Sequence, residues 1–324
     1  MEIRNIFIIF MIKKNMNEYK LKANAPAKVN LILKVLNKRT DNYHNIFSLM
    51  QKINLFDTII AKTTEENIEI VCNENLGITQ EENIVYKAAI ALKEYTNYKN
   101  GAVIEIKKNI PTGAGLGGGS SDAATTLMLL NNLWNLKLTK DELHNIAIKL
   151  GSDVPFFLDS HPKWVYGKGE YCKKLDCIRM VNDELKQTGF EGKILIIYPK
   201  IHIDTGLAYQ KLNRKNTDIK VDDNTYTELI EDYENKLDNT TKYLFLKKNM
   251  VNDFEEVIFD LYPEIKEIHN DLTELSGGMA RLTGSGSVVF AILRNGSNGK
   301  IKKLRKKYID ASKDYLFIKS KFIM

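Results

Sequence analysis

The chain has 324 residues, 44% of them hydrophobic, which is enough to bury a large core and to form two domains. Its net charge is +6 at pH 7, but 47 Lys and Arg residues are mixed with 41 acidic residues. This mixture favours a lysine-rich surface over a nucleic-acid interface, where basic residues cluster and alternate with exposed aromatic side chains. A small polyanionic substrate is compatible with this charge.

The three cysteines, Cys72, Cys172 and Cys177, are not the even set that a secreted disulfide framework needs. They indicate a reducing compartment, so we predict a cytoplasmic location. A metal site at Cys172 and Cys177 is not expected, because a second pair of ligands is missing nearby. The apolar run 6–12 is too short to span a bilayer and lacks a small-residue cleavage site. We interpret residues 1–17 as an appendage, with a signal peptide as the alternative.

The first predicted elements are strands at 19–23 and 29–35, joined through a link at 24–28. The second strand is mainly apolar, but Lys28 and Asn30 place an ammonium and an amide group at its mouth.

A polar loop at 37–45 follows and carries an aromatic residue and an imidazole side by side, Tyr43 and His44. A strand is then predicted at 58–63. Apolar residues at helical spacing predict a helix over 83–95.

A glycine-rich stretch, 111–122, follows a predicted strand at 102–106 and has five glycines within positions 113–119. Adjacent glycines let backbone N–H groups approach an anion without Cβ atoms in the way. Apolar residues at helical spacing come next, so a positive helix end adds to the attraction. We therefore predict a phosphate-binding loop with Ser120 or Ser121 at the helix N-cap. A flexible linker is the alternative, but linkers are usually flanked by polar sequence.

This loop does not match the two best-known nucleotide motifs. A Walker A loop needs a lysine, and none lies between Pro111 and Ser121. A GxGxxG pattern is present at 113–118, but no acidic strand end follows about 20 residues later, as the dinucleotide fingerprint requires. The loop must belong to another phosphate-binding class.

A second helix is predicted at 140–150, and Gly151 ends it. Asp153 then stands just before a proline and two phenylalanines. A carboxylate at a turn beside apolar residues that exclude water suits a catalytic group. An ordinary turn or cap residue is the alternative. In the second half of the chain we predict a strand at 194–197, helices at 253–262 and 265–275, and a glycine turn before an apolar strand at 280–292.

Five blocks of the sequence together resemble the GHMP kinases. They follow the family's order, and they are 25–31, 41–44, 111–122, 151–157 and 282–286. The resemblance implies a two-domain α+β fold with a glycine-loop domain and a ferredoxin-like C-terminal domain, which we place at 18–175 and 190–324.

The resemblance also implies ATP as the phosphoryl donor, with Mg²⁺ on its phosphates and Ser120 as the candidate metal ligand. Asp122 could reach the metal through water, but we favour a role in complementing the helix dipole. The implied nucleotide-binding residues are Asn83, Lys108, Pro111, Thr112, Gly113, Ala114, Gly115, Leu116, Gly117, Gly118, Gly119, Ser120 and Ser121.

The implied reaction is transfer of the ATP γ-phosphoryl group to a hydroxyl of a small molecule. Asp153 would accept the hydroxyl proton, while Lys28 would orient the hydroxyl and offset negative charge. Phosphoryl transfer depends strongly on positioning and charge stabilisation, so both roles are testable hypotheses.

Within the family, the Tyr43–His44 loop and the doubled serine imply an acceptor that carries a cytidine diphosphate group. Tyr43 would stack on the base, His44 would bind its edge, and Tyr209 would close its other face. Asn30 is implied to bind the same substrate. No nucleic acid or membrane partner is expected. The alternatives are a GHMP kinase for homoserine, mevalonate or a sugar, and a non-enzymatic nucleotide- or RNA-binding module.

Two positions depart from the family's pattern. Asn42 stands where glycine is usual, and because asparagine tolerates a positive φ we expect the turn to be kept. Thr283 replaces a serine before the Gly-Ser-Gly turn, which retains the hydroxyl.

Overall fold

The computed structural model describes residues 10–15, 18–175, 178–181, 184–187, 190–214, 226–236, 238–293 and 296–323. It combines helices with β-sheets, as the predicted α+β class requires. The strands are β1 (Phe10–Asn15), β2 (Glu18–Lys38), β3 (His44–Thr64), β4 (Ile68–Cys72), β5 (Gly101–Lys107), β6 (Lys163–Gly167), β7 (Tyr171–Lys174), β8 (Ile178–Val181), β9 (Glu184–Gln187), β10 (Lys193–Tyr198), β11 (Val251–Asn252), β12 (Ala280–Leu282), β13 (Val289–Leu293) and β14 (Leu316–Lys321).

The helices confirm most of the predicted ones. They are α1 (Ile84–Thr96), α2 (Gly118–Leu133), α3 (Lys140–Leu150), α4 (Thr205–Leu212), α5 (Thr227–Glu234), α6 (Asn239–Asn249), α7 (Glu255–Leu261), α8 (Pro263–Ser276) and α9 (Asn298–Asp310), with a 3₁₀ helix at Pro155–Leu158.

The chain divides into two compact units. Unit 1 is Met1–Ala27, Leu55–Thr112 and Gly117–Ser160, and unit 2 is Lys28–Asn54, Gly113–Leu116 and His161–Met324. The predicted domain ranges, 18–175 and 190–324, stay a prediction.

In unit 1 the strand order is β1, the start of β2, the end of β3, β5 and β4, because the rest of β2 and of β3 belongs to unit 2. β5 is antiparallel to β3, where Thr58 pairs with Lys107, and it is parallel to β4. Helices α1 and α2 pack against each other. The apolar residues at helical spacing are buried as expected, and in α2 and at its C-cap they are Ala123, Leu127, Leu130 and Trp134.

In unit 2 the early part of β3 pairs with β6, and β11 pairs with β2. A separate antiparallel sheet has the order β12, β13, β10, β14, and α8 packs against it. Its core is formed by apolar side chains of β10, β13 and α8, including Leu195, Val289 and Ile268.

One prediction about the start of the chain needs correction. The link at 24–28 is wrong, because β2 is a single strand through these residues. Ala23, Ala25 and Ala27 are buried and continue the period of two, so the backbone stays extended. Within the proposed appendage, β1 pairs antiparallel with the start of β2. Residues 1–9, 16 and 17, like Cys177, lie outside the described part of the chain.

The 113–116 segment of the glycine loop lies against the turn 283–286 within unit 2. Gly115 has φ +77°, and a Cβ atom on it would overlap the carbonyl oxygen of Thr283. At the next residue of the loop, the carbonyl oxygen of Leu116 accepts a hydrogen bond from the N–H of Lys28 at 2.9 Å. Glycine is therefore required at 115 for both the backbone conformation and the close approach.

We expect Gly115→Ala to lower the free energy of unfolding by about 2–4 kcal/mol, because backbone strain and overlap add together. Gly77→Ala is the matched control, since Gly77 has φ +69° with no atom within 4 Å of an added Cβ. The free energy of unfolding of this control should fall by only about 1 kcal/mol. Both values are measured by chemical denaturation. Equal losses would contradict the importance of the Thr283 contact.

Candidate active site

The glycine loop leads into α2 through a left-handed residue. Gly117, with φ +72°, is the N-cap, and α2 begins at Gly118. The predicted cap at Ser120 or Ser121 is therefore wrong, because a glycine that takes a left-handed φ lets the helix start earlier. The N–H of Ser121 already bonds to the carbonyl of Gly117 at 2.9 Å, whereas the preceding N–H groups of the first turn lack helical partners. Left-handed glycines followed by a helix start are suited to bind phosphate.

Lys28 is buried in β2 with only 3% of its surface exposed, and its Nζ donates to Asn30 Oδ1 at 2.7 Å. The same oxygen accepts the N–H of Gly284 at 3.0 Å. Asn30 Nδ2 donates to the hydroxyl of Ser48 at 2.9 Å. Both ends of the amide are thus bound within the protein, and they fix the ammonium of Lys28. That Asn30 also binds substrate stays a prediction.

Thr283 keeps the hydroxyl function expected of the usual serine. Its Oγ1 is buried, accepts the N–H of Asn30 at 3.2 Å and lies at the same distance from Asn30 Oδ1, to which it can donate.

Asp153 lies in unit 1, between the end of α3 and the 3₁₀ helix. The N–H of Val154 bonds to the carbonyl of Gly151 at 3.1 Å, which closes the turn that carries Asp153. Asp153 is partly exposed, whereas the phenylalanines that follow, Phe156 and Phe157, are fully buried. The apolar surroundings agree with the sequence argument, and the catalytic role stays a prediction.

The loop before β3 keeps its predicted turn. Asn42 has φ +66°, which confirms that asparagine takes the conformation usually left to glycine. Tyr43 is 57% exposed, and Lys168 Nζ lies 5.0 Å from the centre of its ring. An exposed aromatic ring beside a cation is available for stacking on a base.

His44 and Tyr209 are brought together in unit 2, although they are far apart in the sequence. Their rings stack with centroids 4.9 Å apart and planes at 18°. Tyr209 in turn packs edge-on against Phe254 at 4.9 Å. Burial lowers the pKa of His44, and the positive charges of Lys38 and Arg214 lower it further. The imidazole is therefore neutral at pH 7, so one ring nitrogen donates and the other accepts a hydrogen bond.

Lys108 is held by two carboxylates of unit 1. Its Nζ bonds to Asp57 Oδ2 and lies 2.8 Å from Asp122 Oδ2, and all three side chains are at most 5% exposed. Burial lowers the pKa of Lys108, but the two carboxylates outweigh burial and raise it. Burial raises the pKa of Asp122, the ammonium of Lys108 opposes this shift, and the neighbouring carboxylate of Asp57 adds to it.

Neither Asp57 nor the pairing of Asp122 with Lys108 was predicted from the sequence. Predicting this contact would have required the register between β3 and β5, because Thr58 pairs with Lys107 and this pairing places Asp57 opposite Lys108. The prediction that Lys108 contacts the nucleotide stays a prediction, although its ammonium is engaged by these carboxylates.

Asn83 is the N-cap of α1. Its side-chain Oδ1 accepts the N–H of Val85 at 2.9 Å, and the residue is 7% exposed. The side-chain oxygen of Asn83 is therefore already hydrogen-bonded within α1. A contact between Asn83 and the nucleotide stays a prediction.

Oxygen donors suited to Mg²⁺ lie at the start of α2. Ser120 is partly exposed in the first turn, whereas Ser121 Oγ and Asp122 Oδ1 are buried without a hydrogen-bond partner in the part of the chain that the structure describes. Among the described residues, no three His, Cys, Asp or Glu side chains are grouped to hold a metal. A few oxygen ligands together with phosphate and water fit the usual Mg²⁺ coordination. No described helix is long and apolar enough to cross a membrane.

Comparison with known proteins gives two family matches. The GHMP kinases N terminal domain matches residues 83–161, and the GHMP kinases C terminal domain matches residues 237–310.

Curated relatives match over most of their length. A 4-diphosphocytidyl-2-C-methyl-D-erythritol kinase from Thermodesulfovibrio yellowstonii is 41% identical, covering 85% of this chain and 90% of the relative. The protein of the same name from Syntrophus aciditrophicus is 36% identical, covering 86% and 92%.

Solved structures agree with this result. A 4-(cytidine 5'-diphospho)-2C-methyl-D-erythritol kinase superposes with a TM-score of 0.68 at 27% identity, over 94% of this chain and 99% of that one. A homoserine kinase from Cytophaga hutchinsonii gives the same TM-score of 0.68 at 16% identity, over 96% and 97%, which shows the fold alone.

The role of Asn83 can be separated by two substitutions. Asn83→Ala removes the cap and should lower the free energy of unfolding by about 1 kcal/mol, whereas Asn83→Asp keeps a capping oxygen and should be near wild type. If Asn83 only caps α1, both variants keep the wild-type affinity for ATP, measured by calorimetry. Loss of ATP affinity in the stable Asn83→Asp protein would instead show a direct nucleotide contact.

Proposed function

Because the chain belongs to the GHMP kinases and, among them, to the 4-diphosphocytidyl-2-C-methyl-D-erythritol kinases, we propose that it transfers the γ-phosphoryl group of ATP to the 2-hydroxyl of that acceptor. The observation that carries the proposal is the 41% identity over 85% of the chain to a relative of that name. The reaction serves isoprenoid precursor biosynthesis by the route that does not use mevalonate.

The stacked pair His44 and Tyr209 supports a cytidine-bearing acceptor. The neutral imidazole can bind the polar edge of cytosine, and the exposed ring of Tyr43 offers a face for stacking. Homoserine, mevalonate and sugars carry no nucleobase, so a GHMP kinase for one of these acceptors would have no use for Tyr43, His44 and Tyr209 as a base-binding group. The partner is thus a small molecule, and we place the enzyme in the cytoplasm.

In this mechanism the ammonium of Lys28 orients the acceptor hydroxyl and stabilises negative charge as the phosphoryl group moves. Its hydrogen bond to Asn30 at 2.7 Å limits the positions that the ammonium can take. Asp153 accepts the hydroxyl proton. Mg²⁺, when bound near Ser120, supplies positive charge to the β- and γ-phosphates. The N–H groups of the glycine loop and of the start of α2 hold the phosphates in place.

The acceptor is tested by measuring ADP release with a panel of alcohols. We expect turnover with 4-diphosphocytidyl-2-C-methyl-D-erythritol and none with homoserine, mevalonate or galactose. Replacing cytidine by uridine in the acceptor should raise KM, because the uracil edge exchanges a donor for an acceptor where His44 binds. Equal rates with the two bases would contradict recognition by the Tyr43–His44 loop.

The stacking role of Tyr43 has a matched control in the chain. Tyr43→Leu should raise the KM for the acceptor about 10-fold to 100-fold, since stacking on a base contributes about 1–3 kcal/mol. Tyr95→Leu, at a tyrosine of α1 that is 47% exposed, should leave this KM unchanged. These values come from the same ADP-release assay with the acceptor varied at saturating ATP.

Asp153→Asn tests the proton acceptor. We expect kcat to fall about 10²-fold to 10⁴-fold, the usual contribution of a general base, with the KM for ATP unchanged. Asp159→Asn is the control, because it changes a partly exposed carboxylate in the same segment. Near-normal turnover of Asp153→Asn would rule out its role as the base.

A further inference from the structure

The glycine loop has supports at both of its ends, and Asp57 provides the first. Its Oδ1 accepts the N–H of Asn109 at 2.5 Å and the N–H of Ile110 at 2.8 Å, just before the loop begins at Pro111. Asp57 is fully buried. The carboxylate therefore fixes the backbone from which the loop departs.

Lys108 connects this support to the helix that follows the loop. Its ammonium bonds to Asp57 Oδ2 on one side and to Asp122 Oδ2 of α2, 2.8 Å away, on the other. The ammonium also lies directly beneath the first residue of the helix, since a Cβ atom on Gly118 would be 3.3 Å from Lys108 Nζ. The residues before and after the loop are thus joined through one buried cation.

We propose that Asp57, Lys108 and Asp122 form a clamp that sets the position of the first turn of α2, and that Lys108 is a positioning residue for the triphosphate. The inference rests on the proposed function, because it concerns how that enzyme holds its nucleotide. The clamp leaves the N–H groups of the first turn in one arrangement before ATP arrives, which lowers the ordering cost of binding. The two carboxylates take two of the three N–H donors of the ammonium, and the side chain is only 5% exposed, so Lys108 is placed to hold the helix start and not to reach into solvent.

The first test removes the cation. Lys108→Met should raise the KM for ATP about 10-fold to 100-fold, as expected for misplaced binding groups, while the KM for the acceptor stays unchanged. Lys107→Met is the matched control, since Lys107 is 56% exposed and pairs with Glu105 at the surface. A purely structural defect would instead lower the active fraction, so that kcat falls and both KM values stay constant.

Lys108→Met can also unfold the protein by leaving two buried carboxylates without a cation. The double variant Lys108→Met/Asp122→Leu avoids this outcome, because the remaining carboxylate of Asp57 keeps its two backbone N–H donors. We expect this variant to fold, by circular dichroism and thermal unfolding, but to bind ATP as weakly as the single variant. Wild-type affinity for ATP in the folded double variant would overturn the clamp.

A competitor distinguishes positioning from contact with adenine. Inorganic triphosphate should lose as much affinity as ATP in the double variant, because the clamp acts on the phosphate site. An unchanged affinity for triphosphate with a weakened affinity for ATP would overturn the proposal in favour of an adenine contact. ATP binding is measured by calorimetry without acceptor, so a wild-type protein that binds ATP but does not phosphorylate the acceptor would contradict the proposed function and not the clamp.

Discussion

The side-chain amide of Asn30 binds several parts of unit 2 at once. Its Oδ1 accepts from the ammonium of Lys28 and from the N–H of Gly284, and its Nδ2 donates to Ser48. A buried ammonium is costly unless it is hydrogen-bonded, so the position of Lys28 depends on this oxygen. The turn that carries Gly284 leaves no room for a side chain at Gly115. The proposed catalytic lysine and the middle of the glycine loop are therefore held by one network, which explains why neighbouring polar residues stand in an otherwise apolar strand.

Helices and strands were predictable where one hydrophobic period, helical or alternating, ran between residues that typically end such an element. Helix α3 has the predicted limits, because its apolar spacing was bounded by a Thr cap and Gly151, and strand β10 extends one residue beyond the predicted range at each end. The start of α2 was not predictable in this way. Serine is the commoner cap, but the left-handed φ of Gly117 moved the helix start to Gly118. The predicted link at 24–28 was wrong because Pro26 suggested a break in the strand, whereas the small alanines on either side of it allow β2 to stay extended.

In the candidate site, too, features carried by a local motif were predictable, and features that depend on contacts between distant segments were not. Its separate blocks were recognisable from their residues, but the stacking of His44 on Tyr209 was not predicted, because the resemblance implied only that both residues bind the base. Asp57 was missed because it stands just before the predicted strand at 58–63, where an aspartate has no local signature, although the structure places it within β3. Its importance arises from the register between β3 and β5, which brings it opposite Lys108. Register depends on pairing between distant segments, and no spacing along the chain reports it. The same limit applied to Asp122, whose partner lies outside its own helix.

The choice of a buried ion cluster below α2 needs a reason other than stability. Apolar side chains of similar volume can make a protein as stable as a buried ion pair does, or more so. They cannot, however, accept the N–H groups of Asn109 and Ile110, so both hydrogen bonds would be lost and the N–H of Ile110 would be buried without a partner. Nor can a loop that must offer free N–H groups to a phosphate use those groups for its own support. The directional bonds therefore have to come from side chains at the ends of the loop, and a carboxylate, an ammonium and a second carboxylate provide them without occupying the groups that face the ligand.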